Sequence, residues 1–127
     1  MALVEVQKPA ESQIQRYDKI LNSAQKILIK LGLTENESRV YAYLNINGSK
    51  KAKDISKDQR IPRTETYHLL TALHKKGLVT MISERITIFE GIEFEKVLDI
   101  LISNELKRIE ELQFMRNELN ELWKLNF

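Results

Sequence analysis

The 127-residue sequence contains no cysteine, and glycine and proline are scarce, with four and two copies. Without cysteine the chain forms no disulfide and offers no thiolate to a metal, which is typical of an intracellular protein. All four glycines fall where a helix or strand is expected to end. None of them therefore belongs to a glycine-rich loop of the kind that binds phosphate.

Long apolar runs are also absent. No stretch of eighteen consecutive apolar residues occurs, so we expect no membrane-spanning helix. The start, MALVEVQKPAES, is acidic and polar rather than basic and then apolar, as a secretory signal would be, and we expect a cytoplasmic protein. Residues 1–10 show no periodicity and are predicted to form a flexible arm.

Groups suited to catalysis or metal binding are few. The only histidines, His68 and His74, are six positions apart on one predicted helix, whereas zinc ligands on a helix face need a spacing of three or four. Because both histidines lie on that helix, no Ser-His-Asp arrangement is expected. We therefore predict that the protein is not an enzyme and that it has no metal and no cofactor.

The positive charge of the chain is concentrated in its middle. Residues 49–77 contain eight lysines and arginines against three acids, for a local charge of +5. Residues 93–127 contain eight acids against five bases, for a local charge of −3, while the whole chain carries only +2. This asymmetry predicts that a polyanion contacts the middle of the chain and not its end.

Residues 11–32 are predicted to form an amphipathic N-terminal helix that Gly32 ends. Its apolar side chains must be buried against another element, and we expect this helix to pack on the long C-terminal helix, within one chain or across a dimer. Apolar residues recur along it at three- and four-residue steps, at Ile14, Tyr17, Leu21, Ala24, Leu28 and Leu31.

Residues 33–92 are predicted to form a winged helix-turn-helix, so that the whole chain is mainly α with one small β-hairpin. The first helix of this unit opens with Thr34 and Glu37 at capping-box spacing. At the other end, two short segments rich in β-branched residues, 78–82 and 85–89, predict the hairpin, or wing.

The helix-turn-helix itself lies between these boundaries. Ser49 is a candidate cap for a short basic helix over about residues 51–58. A turn at residues 59–61 then leads into a second helix over residues 63–76. Pro62 suits the start of that helix, where no backbone N–H is needed.

The second helix has a polar face opposite its own apolar residues, and a helix of this kind can enter the major groove of DNA. Arg63 lies in its first turn and can pair with guanine, while the hydroxyls of Thr64 and Tyr67 suit phosphate. Lysines near the start of the short helix would add salt-sensitive affinity. The predicted DNA-binding residues are Lys50, Lys51, Lys53, Arg60, Arg63, Thr64, Tyr67, His68, Thr71, Lys75 and Arg85.

Residues 93–127 predict one long helix, because neither glycine nor proline interrupts them. About 33 residues extend roughly 50 Å, too far for one small domain to cover, so a partner helix is expected. Glu105 and Arg116 interrupt the apolar stripe. The predicted dimerisation residues are Leu98, Leu101, Ile102, Ile109, Leu112, Met115, Leu119, Leu122 and Trp123.

Several short motifs resemble the DNA-binding domain of TrmB-type archaeal transcription regulators. They are LGLT at residues 31–34, PRT at 62–64, Tyr67, and KKGLV at 75–79, within a resemblance that covers roughly residues 31–101. The resemblance implies binding of double-stranded DNA as a dimer. It is to a short form, without the sugar-binding domain of full-length members, and the Lrs14-like group of short archaeal winged-helix regulators remains open. No small-molecule effector is evident.

Three functions remain open from the sequence. The first is a homodimeric regulator that binds double-stranded DNA, associated with the nucleoid. The second is an architectural chromatin protein that binds any duplex on the same fold. The third is a winged helix whose basic helix contacts an acidic protein. The presence of Arg63, Thr64 and Tyr67 together favours the first over the third.

Overall fold

The computed structural model of the protein describes residues 12–83 and 85–127, apart from the side chain of Ser83. These residues form five helices and one antiparallel hairpin, which confirms the mainly α class and the winged helix-turn-helix. The predicted arm at residues 1–10 lies outside this description. In chain order the elements are α1 (Gln13–Lys30), α2 (Glu35–Asn47), α3 (Ala52–Gln59), α4 (Arg63–Lys75), β1 (Val79–Ser83), β2 (Thr87–Gly91) and α5 (Phe94–Asn126).

Helices α1 and α2 both begin with a capping box. The Ser12 hydroxyl accepts a hydrogen bond from the backbone N–H of Gln15 at 3.1 Å, and Gln15 Oε1 accepts one from the Ser12 N–H at 3.0 Å. Thr34 and Glu37 make the same pair of bonds at 3.1 and 2.9 Å. The capping predicted for Thr34 and Glu37 is thus confirmed, and such a cap contributes typically about 1 kcal/mol.

Helix α3 begins later than predicted. Its N-cap residue is Lys51, whose side chain makes no capping bond, so the expected Ser49 cap was wrong. The cause is a pairing with the wing that the sequence did not reveal. The backbone N–H of Lys50 donates to Phe89 O at 3.0 Å, and the Phe89 N–H donates to Lys50 O at 2.8 Å. Because this bridge keeps the chain extended at Lys50, the helix starts only after it.

The inward side chains of α2 and α4 form the centre of the apolar core. Val40, Tyr41 and Leu44 from α2 and Leu70 and Leu73 from α4 are all buried. Burying a side chain of this size contributes about 1.5–3 kcal/mol, which fixes the inner face of α4 and leaves its outer face to solvent. The remaining core residues are Leu28, Leu33, Ala52, Ile55, Ile61, Leu78, Val79, Phe89, Val97 and Leu101.

Thr66 is the polar residue on the buried face of α4. It is fully buried. Its hydroxyl donates to Pro62 O at 3.0 Å, one turn earlier. The buried hydroxyl is therefore satisfied, and it does not impose the cost of an unpaired polar group.

Helix α1 packs on α2, and much of its apolar surface stays open. Leu28 is its fully buried residue, while Ile14, Tyr17 and Ile20 are 74%, 49% and 63% exposed. Within one chain, the stripe predicted on this helix is therefore not covered by the long helix.

Helix α5 begins on the domain and then leaves it. Val97 and Leu101 are buried in the core, and Leu98 packs against it, whereas no residue after Leu101 is buried. The assignment of Leu101 to the dimer contact was wrong, because its side chain belongs to the core of its own domain. Among the described residues, no helix combines the length and apolar character needed to cross a bilayer.

Candidate nucleic-acid interface

The outer face of α4 carries all six residues that the sequence assigned to it. Pro62 precedes the helix, and α4 packs on α2, α3 and β1 with its opposite face. Tyr67 is 46% exposed, so its ring is not part of the core. The exposed residues on this face are Arg63, Thr64, Tyr67, His68, Thr71 and Lys75.

Four of these side chains lie around one shallow depression. Tyr67, His68, Thr71 and Lys75 line a space of about 510 Å³ on the surface of α4. Arg63 lies in the first turn, one helical turn before Tyr67. The face therefore offers a guanidinium, hydroxyls, an imidazole and an ammonium along one side of a helix.

The turn between α3 and α4 is held by backbone and side-chain bonds. Arg60 adopts the left-handed conformation, with φ 55° and ψ 46°, which ends α3. The Ile61 N–H donates to Ser56 O at 3.1 Å, and the Ser56 hydroxyl donates back to Ile61 O at 2.6 Å. With Ile61 buried, the Arg60 side chain is left exposed beside the start of α4.

A bracket from α2, formed by Asn36 and Arg39, also holds this turn, and no pattern in the sequence indicates it. The Arg39 guanidinium donates to Gln59 O at 2.6 Å and to Asn36 Oδ1 at 3.2 Å. The Asn36 amide in turn donates to Glu65 Oε2 at 3.0 Å. The bracket thus connects α2 to the last residue of α3 and to the first turn of α4.

Two acids of the basic segment have hydrogen-bond donors on α2. Glu65, the only acid on α4, accepts from Asn36, and Asp58 accepts from the Tyr43 hydroxyl. Desolvation and the bond to Asp58 raise the pKa of Tyr43 to about 12, so this hydroxyl keeps its proton at neutral pH. These hydrogen bonds connect both carboxylates to α2.

The remaining predicted cations lie around α3 and the wing. Lys51 and Lys53 are exposed at the start of α3, whereas Lys50 is half-buried where its backbone pairs with β2. Arg85 is exposed at the tip of the hairpin. Arg85 is the only basic residue within residues 79–91, so the wing contributes little positive charge.

The histidines are not arranged as ligands. His68 is exposed on α4, while His74 Nδ1 lies 3.0 Å from Val79 O at the start of β1. Within the described part of the chain, no three histidine, aspartate or glutamate side chains are grouped to hold a metal ion.

Comparison with protein families agrees with this geometry. The family model of the sugar-specific transcriptional regulator TrmB matches residues 28–95, a span that includes α2, α3, α4 and the wing. The chain is also similar to the HTH-type sugar sensing transcriptional regulator TrmBL1 of Pyrococcus furiosus, with 34% identity over 92 residues. That match covers 72% of this chain but 27% of TrmBL1, so the chain spans about a quarter of this relative's length.

Solved structures support the fold. The archaeal chromatin protein TrmBL2 superposes with a TM-score of 0.71 at 23% identity, covering 83% of this chain and 41% of that one. The transcriptional regulator Tm0710 from Thermotoga maritima gives a TM-score of 0.55 at 17% identity, covering 95% and 98%. At these identities the likeness establishes a common fold and nothing further.

Proposed function

The chain belongs to the TrmB family of transcriptional regulators, and on that premise we propose that it is a dimer that binds double-stranded DNA with α4 in the major groove. One observation carries the proposal. The inner face of α4 is buried in the core, while Arg63, Tyr67 and Lys75 are exposed on its outer face. A helix held in this way has the shape and charge that suit a DNA groove.

Each side chain has a role that follows from its chemistry. Arg63 reads guanine through two parallel hydrogen bonds. The hydroxyls of Thr64 and Tyr67 donate hydrogen bonds to phosphates at the start of the helix. Thr71 and His68 lie further along the same groove. The cations Lys50, Lys51, Lys53, Arg60, Lys75 and Arg85 neutralise phosphates without reading sequence.

The dimer is proposed to form through α5. Its apolar side chains beyond the domain are exposed in the single chain, including Ile109, Leu112 and Leu119 at 46%, 49% and 63%. A second copy would cover them, and it would present a second α4 to the next turn of the duplex.

The substitution Arg63→Ala tests the proposed recognition of guanine by Arg63. A preferred site is first selected from random duplexes, and affinity is then measured by gel shift on that site and on random DNA. We expect a loss of about 1–3 kcal/mol on the selected site and a smaller loss on random DNA. Arg16→Ala, at an exposed position on α1, is the matched control and should bind as wild type. Absence of any retained DNA at low salt would contradict the proposal.

A second function, that of an architectural chromatin protein, draws support from the fold shared with TrmBL2, which is described as an archaeal chromatin protein. Lys50, Lys51 and Lys53 suit a duplex of any sequence. The same titration separates the two functions. Equal affinity for selected and random DNA, together with uniform coverage of the genome in immunoprecipitation, would favour packing over local regulation.

Sugar sensing, described for TrmBL1, is not proposed, because the match covers 27% of that protein.

A further inference from the structure

Helix α5 carries a heptad seam that the described residues of the same chain leave largely uncovered. Seam positions alternate by four and three residues, which is the spacing of a two-stranded coiled coil. The seam consists of Leu98, Ile102, Glu105, Ile109, Leu112, Arg116, Leu119 and Trp123. Of these, Leu98 packs against the domain and Glu105 is half-buried, while the other six are exposed.

The two charged residues of the seam distinguish the possible orientations of a pair. In a parallel pair, each seam residue meets its own copy, so Glu105 would face the partner's Glu105 and Arg116 the partner's Arg116. Both contacts bring like charges together in a desolvated seam, which is unfavourable. In an antiparallel pair one alignment instead sets each glutamate opposite an arginine.

We propose that two copies of the chain pair antiparallel along α5, with Glu105 of each copy opposite the partner's Arg116. This inference rests on the proposed dimer and specifies its geometry. Its centre lies between residues 110 and 111. The same alignment matches every other seam residue with an apolar one: Trp123 with the partner's Leu98, Leu119 with the partner's Ile102, and Ile109 with the partner's Leu112.

Neighbouring alignments do not share this match. Displacing the partner by one heptad in one direction sets Glu105 against Ile109, and in the other direction it sets Glu105 against Trp123. Either displacement leaves four charges in the seam without an opposite charge, at a cost that favours the proposed alignment. Within one chain Glu105 already accepts from Arg108 at 2.9 Å, so in the dimer its carboxylate would lie between two guanidinium groups.

The same alignment brings the far end of α5 to an open groove on the partner. Trp123 and Phe127 pack together with ring centroids 4.7 Å apart, and the Phe127 side chain is 89% exposed. Phe127 falls level with the partner's Phe94, which lines an almost wholly apolar groove of about 250 Å³ between α1 and α2. The groove between α1 and α2, lined also by Tyr17 and Ile20, would thus bind the aromatic pair at the end of the partner's α5.

The antiparallel pair also sets a spacing between the two domains. Leu98 and the partner's Leu98 would lie about 38 Å apart along the pair, from a rise of about 1.5 Å per residue. Successive major grooves on one face of DNA are about 34 Å apart. A parallel pair would instead place both domains at one end of the rod.

Charge exchange tests the orientation. In the antiparallel dimer, Glu105→Arg or Arg116→Glu alone faces like charges twice, and we expect dimer dissociation at a concentration at least about tenfold higher in sedimentation equilibrium. The double variant restores opposite charges and should return to within about threefold of wild type. A parallel dimer would show neither this loss in the single variants nor a recovery in the double variant, because each residue would face its own copy in every variant. Absence of recovery would overturn the proposal.

A distance measurement provides the second test, made simple by the absence of native cysteine. A spin label on Lys124→Cys should report about 40 Å between copies in the antiparallel dimer, against about 10 Å between helix axes in a parallel one. Glu110→Cys, near the centre, should give a short distance in both orientations and shows that the dimer has formed. A short distance at position 124, or no distance at either position, would overturn the proposal.

Gel shifts on the labelled proteins separate this proposal from the function. A long distance at position 124 without DNA retention would contradict DNA binding and leave the antiparallel dimer intact. DNA retention together with a short distance at position 124 would contradict the antiparallel dimer and leave DNA binding intact.

Discussion

At the turn between α3 and α4, Arg60 holds a left-handed conformation that glycine adopts more easily. Among the described residues it is the only non-glycine residue with positive φ. A side chain in this region costs about 1–2 kcal/mol, and glycine's extra flexibility when unfolded offsets about 0.5–1 kcal/mol. Arg60→Gly should therefore be neutral or stabilising by up to about 1 kcal/mol in urea denaturation. Lys57→Gly, inside α3, is the control and should lose about 1 kcal/mol. Equal losses in both variants would show that the turn does not store this strain.

Tyr41 links the core to the residues just before α5, and its environment predicts that the stability of the fold decreases at alkaline pH. Its hydroxyl donates to Ile92 O, and burial raises its pKa to about 12. Between pH 10 and 12 the unfolded chain loses this proton while the folded chain keeps it, so the free energy of unfolding falls as pH rises. Tyr41→Phe should reduce that slope when urea unfolding is compared at pH 9 and 11. The same change at exposed Tyr17 controls for loss of a hydroxyl, and a slope unchanged by Tyr41→Phe would refute the assignment.

Among the elements, the bracket from α2 is expected to set the angle at which α4 leaves the body. Arg39→Ala removes the bonds to Gln59 O and to Asn36, and a bond from a charged group contributes about 1.5–3 kcal/mol. We expect that loss in stability, unchanged helix content by circular dichroism, and weaker DNA binding below the melting temperature. Asn36→Ala breaks the link to Glu65 but spares the bond to Gln59 O, so it should have a smaller effect. Wild-type DNA affinity in Arg39→Ala would show that the bracket does not position α4.

The elements themselves could be read from the sequence where the signal is local. Thr34 with Glu37 is a local pattern, and the separation of polar from apolar residues placed the buried face of α4. Contacts between distant residues gave no such signal. The bridge from Lys50 to Phe89 moved the start of α3, and the bracket from Arg39 to Gln59 joins residues twenty positions apart. Helical periodicity also cannot distinguish a stripe that faces its own domain from one that faces a partner, and so Leu101 was misassigned.

For the whole molecule, the same limit applies to the candidate interface. The sequence correctly placed the polar side chains of α4 outside, because the opposite face had to fill a core. It did not show that Lys50 is half-buried, since that depends on how the wing closes against the chain before α3. It also predicted that α1 packs on the long C-terminal helix, whereas within one chain α1 packs on α2. Among the described residues, most apolar side chains of α1 and of α5 beyond Leu101 are exposed in one folded chain, and the dimer proposed above would cover those of α5.

The uneven charge of the whole molecule makes a quantitative prediction about salt. For duplex DNA, the slope of log affinity against log salt is about −0.9 for each phosphate neutralised. Replacing Lys50, Lys51 and Lys53 together by alanine removes six cations from a dimer, so the slope should become shallower by up to about 5. The matched control replaces Lys96, Lys107 and Lys124, exposed on the acidic helix α5, and removes the same charge. If affinity depended only on net charge, both triple variants would change the slope equally. If the middle of the chain meets the phosphates, the slope measured by gel shift between about 50 and 200 mM salt changes in the first variant alone.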